Sequence, residues 1–366
     1  MKRLLLIALT ALLVLPAIAQ ERRYQMYGVM FYNLENLFDT INNNGVYDLE
    51  FSPDGARQWN NEKYWKKQHN LAWAISQIVT PGTPDGPALI GVSEIENITV
   101  LEDLVREPEI KNRRYQIVHH DGPDRRGVDV GLLYNPRVFK VLNVTNQRLG
   151  KKYFELAGYK EQYEHQYEAT GYQFRTRDQL CVTGMLAGEK VSVLVNHWPS
   201  RLGGEEQSSW LREATAAMAR HTIDSLLLDD PNQGIFFMGD LNDDPQNRSC
   251  AVTLDAKREA KDCKVVNDLY NPWWKMLDKG IGTLAYRGNW NLFDQIIFNG
   301  YFMKNKDTKE KPQLTFSRAE VLNRDFLKTT EGDRQGYPLR TYSGGVFLNG
   351  YSDHFPTIIY LVKEVR

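Results

Sequence analysis

Ile235-Phe236-Phe237-Met238-Gly239-Asp240-Leu241-Asn242-Asp243-Asp244-Pro245 is the stretch from which the fold can be read. Four apolar residues in a row, closed by Gly, Asp and Pro, predict a short strand buried on both faces. Such a strand belongs in the middle of a sheet covered by other layers. Asp240 and Asn242 stand two apart at its C-terminal mouth, so both side chains share a face if strand geometry persists. Taken alone, this ending reads equally well as a polar turn, because Asp, Asn and Pro are ordinary turn residues. Its weight comes from recurrence along the chain.

Working outward, Val29 to Asn36 predicts a strand with Asn33 and Glu35 on one face. Ala88-Leu89-Ile90-Gly91-Val92 predicts a second buried strand, ending in Ser93-Glu94-Ile95-Glu96-Asn97. A carboxylate there is costly if buried alone, so Glu94 needs a cation or donors nearby. Asp129 lies inside the apolar run Val128 to Tyr134, and Asp294 inside Asn291 to Phe298, so each is expected to have a defined partner. Leu180 to Leu186 and Val191 to Val195 predict a hairpin around Ala187-Gly188-Glu189-Lys190, and its second strand ends in Asn196-His197-Trp198-Pro199-Ser200-Arg201. Tyr351-Ser352-Asp353-His354 precedes a last strand, Thr357 to Val362. Helical spacing of apolar residues predicts helices over Trp65–Val79 and Ser209–Leu228. Strands alternating with two clear helices favour one layered α/β domain over residues 20–366. The Asn36–Phe51, Thr145–Thr170 and Lys304–Lys311 stretches read as loop or peripheral segments. The spacing of Asp39, Asn42, Asn43, Asn44 and Asp48 does not match an EF-hand calcium loop.

Lys2 and Arg3 precede an apolar run from Leu4 to Ile18, and Ala17-Ile18-Ala19 supplies small residues before Gln20. That pattern predicts a signal peptide over residues 1–19 and an exported, periplasmic or extracellular protein without a stable membrane anchor. The formal charge is −1, and losing Lys2 and Arg3 takes it to about −3. A protein that grips long nucleic acids mainly through counterion release is usually more basic. Cys181, Cys250 and Cys263 are too few for a disulfide framework; whether Cys250 and Cys263 pair is left open.

Singly these motifs are weak, since a lone His or strand-end Asp is more often structural. As an ordered series, Asn33-x-Glu35, Glu94, Asn196-His197, Gly239-Asp240-x-Asn242, Asp294 and Ser352-Asp353-His354 resemble the endonuclease/exonuclease/phosphatase superfamily. Arg126-Gly127-x-Asp129 and Asn196-His197-Trp198-Pro199-Ser200-Arg201 look like a secreted bacterial branch of it. The resemblance implies a four-layer αββα sandwich, DNase I-like, with two packed mixed sheets flanked by helices. It implies Mg²⁺-assisted phosphoester hydrolysis, with Mn²⁺ as a substitute, and hard cations do favour oxygen donors. Glu94 is the expected metal ligand, supported by Glu35 and Asp353. Asp240 is expected to orient or deprotonate the attacking water, with Asn242 holding the water or a phosphate oxygen. His354 is expected to contact the phosphate, with Asp294 on its other ring nitrogen, and His197 to be oriented by Asp129. Asn33, Asn196, Arg126 and Arg201 are the expected phosphate contacts.

A catalytic core of this kind serves many substrates. The leading expectation is a phosphodiesterase acting on nucleic acid, with Arg125, Arg126 and Arg201 as a local basic patch and the protein a monomer. The alternative is a phosphatase or phosphodiesterase acting on small phosphoesters or lipid head groups, resembling sphingomyelinases or inositol phosphatases, for which Trp273-Trp274 is the only candidate aromatic hairpin. A non-catalytic binding protein is the third, and it would be expected to have lost a core residue.

Overall fold

The computed structural model of the chain describes residues 23–41, 50–303 and 313–365. The expected signal peptide, Asn42 to Asn44, Asp48 and the Lys304–Lys311 segment lie outside the described residues. Two mixed sheets pack face to face. One has six strands: β14 (Thr315–Val321), β15 (Thr357–Val365), β1 (Arg23–Leu37), β2 (Leu89–Ile95), β4 (Asp129–Tyr134) and β3 (Gln116–His119), in that order. The other has seven: β5 (Phe139–Gln147), β6 (Gln179–Leu186), β7 (Glu189–His197), β8 (Gly234–Asp240), β13 (Asp294–Asn299), β10 (Leu269–Tyr270) and β9 (Ala256–Lys257). Each contains a parallel pair joined through a helix, β1 to β2 through α1 (Asn61–Ser76) and β7 to β8 through a 25-residue helix, Glu205–Asp229.

Alternation along the strands builds the layers. In β1, Val29 and Phe31 enter the core between the sheets, while Met30 and Tyr32 face α1 and α2 (Ile98–Arg106). In β8, Phe236 and Met238 face inward, and Ile235 and Phe237 pack against Ala216, Ala219 and Ile223 of the Glu205–Asp229 helix. Both central strands are therefore apolar throughout, and helix–sheet–sheet–helix is the resulting four-layer order.

Local chemistry sets the element ends. α1 begins four residues before the apolar spacing predicts, because the Asn60 side chain caps it by accepting from Lys63 N at 3.1 Å. Asn97 caps α2 in the same way, accepting from Val100 N at 3.2 Å, and so ties down the segment after Glu94. Asn291 belongs to a separate hairpin, β11 (Leu284–Tyr286) and β12 (Asn289–Asn291), so β13 starts only at Asp294. The Thr145–Thr170 excursion packs Tyr153, Phe154 and Tyr167 on Trp210 of the long helix. Cys250 and Cys263 are free thiols. Trp273 is fully buried and donates its Nε1 proton to Ile296 O at 3.0 Å, so Trp273-Trp274 is not an exposed aromatic hairpin. No helix among the described residues is long and apolar enough to cross a membrane.

Candidate active site

Strand register assembles half of the site. His197, Asp240 and Asp294 close β7, β8 and β13 as one row, since Asp240 is paired with His197 on one side and with Asp294 on the other. Gly239 makes the row possible. A Cβ there would lie 2.3 Å from Asn196 O, so only glycine lets β7 and β8 approach at this point.

The second sheet supplies the rest by departing from regular geometry. The β1–β2 ladder shifts register between Asn33 and Leu37, and the β2–β4 ladder between Ser93 and Ile95. At these bulges Glu35, Asn36 and Glu94 take φ values of +49°, +50° and +59°, and Asn242 takes +50° after β8. Left-handed backbone costs a non-glycine residue about 1 kcal/mol or more, and such strain concentrates at functional sites. Its effect here is to swing Glu94 out of the sheet, where its Oε2 accepts from Asn36 N at 2.9 Å.

The two halves meet at Asp240. Its Oδ2 accepts from Asn33 Nδ2 at 3.0 Å, and its Oδ1 from Asn242 N at 3.0 Å. Asn33 O in turn accepts from Ser352 Oγ at 2.7 Å, and Ser352 Oγ accepts from His354 N at 3.1 Å, which seats the loop carrying His354. His354 Nδ1 lies 2.7 Å from Asp294 Oδ2, leaving Nε2 facing Asp240 Oδ2 at 3.9 Å. His197 Nε2 lies 3.7 Å from Asp240 Oδ2 and 3.8 Å from Glu94 Oε1. Asn33, Glu94, His197, Asp240, Asn242, Asp294 and His354 are thus brought together.

The two histidines are tuned in opposite directions. Burial pulls the His354 pKa down, but the Asp294 carboxylate and its hydrogen bond, with Asp240 and Asp353, lift it well above the usual histidine value. Burial holds the His197 pKa well below that value, and Arg177, Arg126 and His354 push the same way. His354 is therefore an imidazolium and His197 a neutral ring near pH 7. Asp240 is raised by burial; the positive charge of His354 draws it partly back, while Asp294 and Glu94 add to the rise.

Other expected roles need correction. Asp129 does not orient His197: it lies 3.4 Å from His119 Nε2 and accepts from Gly122 N at 2.9 Å. Asn196 is buried between β7 and β8, with Nδ2 donating to Leu194 O at 3.2 Å and Met238 O at 3.3 Å, so it braces the strands and offers no phosphate contact. Arg201 is also committed. It donates to Asn242 O at 2.8 Å, pairs with Glu205 at 2.7 Å and Asp243 at 3.3 Å, and covers the Phe293 ring. Its work is to hold the turn after Asp240. Asp243 is further pinned by the fully buried Arg212 at 2.7 Å, and Asp244 accepts from Leu292 N at 2.6 Å. Arg126 stands half exposed at the mouth, 3.3 Å from Glu94 Oε1.

Among the three expected metal ligands, Glu94 fits best. It is a carboxylate directed into the site by strained backbone, with Oε1 3.3 Å from the half-exposed Arg126 and 3.8 Å from His197 Nε2. Asp353 lies next to it in suitability, its Oδ1 3.8 Å from His354 Nε2, but its other oxygen accepts from Arg340. Glu35 does not fit as a direct ligand. Its oxygens accept from Thr341 N at 2.6 Å and Arg340 Nε at 3.4 Å, and the buried Lys67 ammonium is 3.9 Å away. Lys67, Arg340 and Arg177 escaped the sequence reading. Arg177 is buried, donating to His197 O at 3.0 Å and pairing with Asp124 at 3.1 Å, and no motif marks it.

A model of the Endonuclease/Exonuclease/phosphatase family matches residues 28–363. Among solved structures, D. rerio TDP2 complexed with a single-strand DNA product is similar at 12% identity and a TM-score of 0.52, covering 92% of this chain and 98% of that one. The Bacteroides thetaiotaomicron mannosyl-6-phosphatase is similar at 13% identity and a TM-score of 0.51, covering 92% and 99%. The human Nocturnin catalytic domain with a bound sulfate is similar at 14% identity and a TM-score of 0.51, covering 94% and 97%. At these identities the likeness is one of fold. No curated protein sequence matches the chain.

Proposed function

Because the chain belongs to the endonuclease/exonuclease/phosphatase family, we propose that it is an exported, divalent-metal-dependent phosphodiesterase that cleaves nucleic acid by in-line attack of water. The observation that carries the chemistry is the pairing of His354 Nδ1 with Asp294 at 2.7 Å while Nε2 faces Asp240 at 3.9 Å. A fixed imidazolium and a buried carboxylate then flank one point, as an anionic transition state and an attacking water require.

Asp240 takes the proton of the water as its oxygen bonds to phosphorus. A carboxylate raised by burial is a better base than an ordinary aspartate. Asn33 and Asn242 hold Asp240 in place from both sides of the sandwich. His354 gives its Nε2 proton to the leaving oxygen as that oxygen's bond to phosphorus breaks, and Asp294 keeps the Nδ1 proton in place. His197, neutral, donates one hydrogen bond and brings no second cation. Glu94 and Asp353 are the carboxylates that would hold Mg²⁺ or Mn²⁺, which would neutralise charge on the phosphate oxygens. The Lys2-Arg3 start, the Leu4–Ile18 run and the Ala17-Ile18-Ala19 end support export.

A second reading, hydrolysis of small phosphoesters, is favoured by two cavities of about 400 and 250 Å³ that adjoin Asp353 and Glu35. Incubation of the purified protein with plasmid DNA, RNA, bis-p-nitrophenyl phosphate and sphingomyelin, with Mg²⁺ or with EDTA, separates the readings. Metal-dependent nicking or digestion is expected; no hydrolysis across the panel would rule out both and leave a binding protein.

A further inference from the structure

Three arginines outside the reacting centre converge beside it. Arg57, Arg334 and Arg340 line the 250 Å³ cavity together with Glu35, Asn36, Thr341, Tyr342 and the Gly344-Gly345 turn. Among the described residues Glu35 is its one lining carboxylate, and Lys67, Thr341 N and Arg340 already answer that charge. Arg57 pairs with Glu50 at 2.6 Å and lies over the Tyr342 ring at 5.1 Å, which fixes its guanidinium at the wall. Arg334 is exposed, donates to Ser343 Oγ at 2.6 Å, and meets no carboxylate in an ion pair among the described residues. Arg340 also pairs with Asp353, so Arg57, Lys67, Arg334 and Arg340 face Glu35, Glu50 and Asp353, and the one positive charge left without an ion pair among the described residues is that of Arg334.

The cavity also connects to the chemistry. Arg334 and Arg340 line the neighbouring 400 Å³ cavity as well, whose wall includes Asp353, the residue before His354. Arg287 lines that cavity too, over the Tyr286 ring at 5.1 Å. Two tight hairpins carry these walls. Arg287-Gly288 and Gly344-Gly345 have φ of +49°, +87°, +56° and +82°, the positive pairs that two-residue hairpin turns use. A space of 250 Å³ is small for a whole ligand but suits one charged group of a larger one.

We propose that the cavity between Arg57, Arg334 and Arg340 is a subsite for a second phosphate carried by the same substrate molecule as the phosphate that is cleaved. Arg334 can grip a phosphate through bidentate, charge-assisted hydrogen bonds, with the N–H groups of Arg57 and Arg340 that their carboxylates leave free beside it. The subsite rests on the phosphoesterase reading for its function but not for its binding, so the two can be tested apart.

Wild type and Arg334→Ala are compared on two substrate pairs: thymidylyl-thymidine with and without a 5′-phosphate, and glycerophosphoinositol with and without a ring phosphate. Arg334→Ala loses only one hydroxyl contact, so the fold is expected to survive. The wild type is expected to favour the extra phosphate by about tenfold in kcat/KM in one pair, and Arg334→Ala to lose most of that ratio. The pair that shows it identifies the source, a nucleic acid strand or a small polyphosphate. Binding of thymidine 3′,5′-bisphosphate against thymidine 5′-monophosphate, measured by calorimetry, repeats the comparison without turnover. A binding preference with no hydrolysis would keep the subsite and sink the phosphoesterase reading. Hydrolysis without any preference for the second phosphate, or a preference that Arg334→Ala leaves intact, would sink the subsite.

Discussion

His354 Nδ1 and Asp294 Oδ2 stand 2.7 Å apart, and the pair joins a loop from one sheet to a strand end of the other. The contact fixes the ring so that its remaining nitrogen faces Asp240, and it keeps the ring charged above the pH where a free histidine would lose its proton.

Asp294→Asn removes that charge support while keeping the shape. Hydrolysis is expected to fall by roughly 10²-fold or more, in line with general acid–base contributions. The sign of the pH effect is also set. The wild-type His354 pKa is raised, so activity persists as pH climbs past the ordinary histidine range. In the variant the alkaline limb should move to lower pH, and a kcat profile with an unmoved limb would show that His354 is not the titrating acid.

Gly239→Ala tests the strand approach. The added methyl would meet Asn196 O at 2.3 Å, backbone against backbone, with nothing flexible to yield. A loss of about 1–3 kcal/mol is expected from overpacking, read as a lower midpoint in urea unfolding. Activity should fall too, since the row His197–Asp240–Asp294 depends on this spacing.

Lys67→Met leaves Glu35 buried with only Arg340 as a counter-charge. Burial lowers the Lys67 pKa and raises that of Glu35, and each offsets part of the other's shift. Removing one partner of a buried pair costs about 3–5 kcal/mol, whereas removing both charges costs far less. The double variant Lys67→Met/Glu35→Gln should therefore be more stable than Lys67→Met alone. Strict additivity of the two unfolding free energies would deny the coupling.

Asp244 predicts a pH-dependent stability. Burial raises its pKa to about 6, against the hydrogen bond from Leu292 N and the charge of Arg201, which pull it down. Between about pH 4 and 6 the folded chain then holds a proton that the unfolded chain has released. Stability from this group is full at the acid end, falls as pH rises through that window and stays lower above it. Asp244→Asn keeps an acceptor for Leu292 N and should remove on the order of 2 kcal/mol of that fall. Parallel unfolding curves at pH 4.5 and 8 for the two proteins check it; an equal drop in both would place the pH dependence elsewhere.

The layered plan and several residues at the strand ends were legible before any tertiary contact was known. Strands apolar on both faces can only lie inside a covered sheet, and a polar residue following such a strand has to emerge at its mouth. Hence Glu94, Asp240 and Asn242 were legible as strand-end residues, while Asn33, Asp294 and His354 joined them only through the order of motifs that resembles the family. Partner choice was not. Asp129 pairs with His119 because β3 lies beside β4 and brings that histidine to the same end, a proximity that spacing along the chain does not encode. Lys67 carries no motif in the sequence, yet Thr341 Oγ1 and Tyr351 O accept from it because the segment from Leu339 to Tyr351 folds over α1. Arg201 reads as a phosphate ligand until Asn242 O, Glu205 and Asp243 are found around it. Hydrophobic pattern acts locally and survives in the sequence, whereas the counter-ion of a buried charge is whichever group the tertiary fold sets within a few ångströms of it.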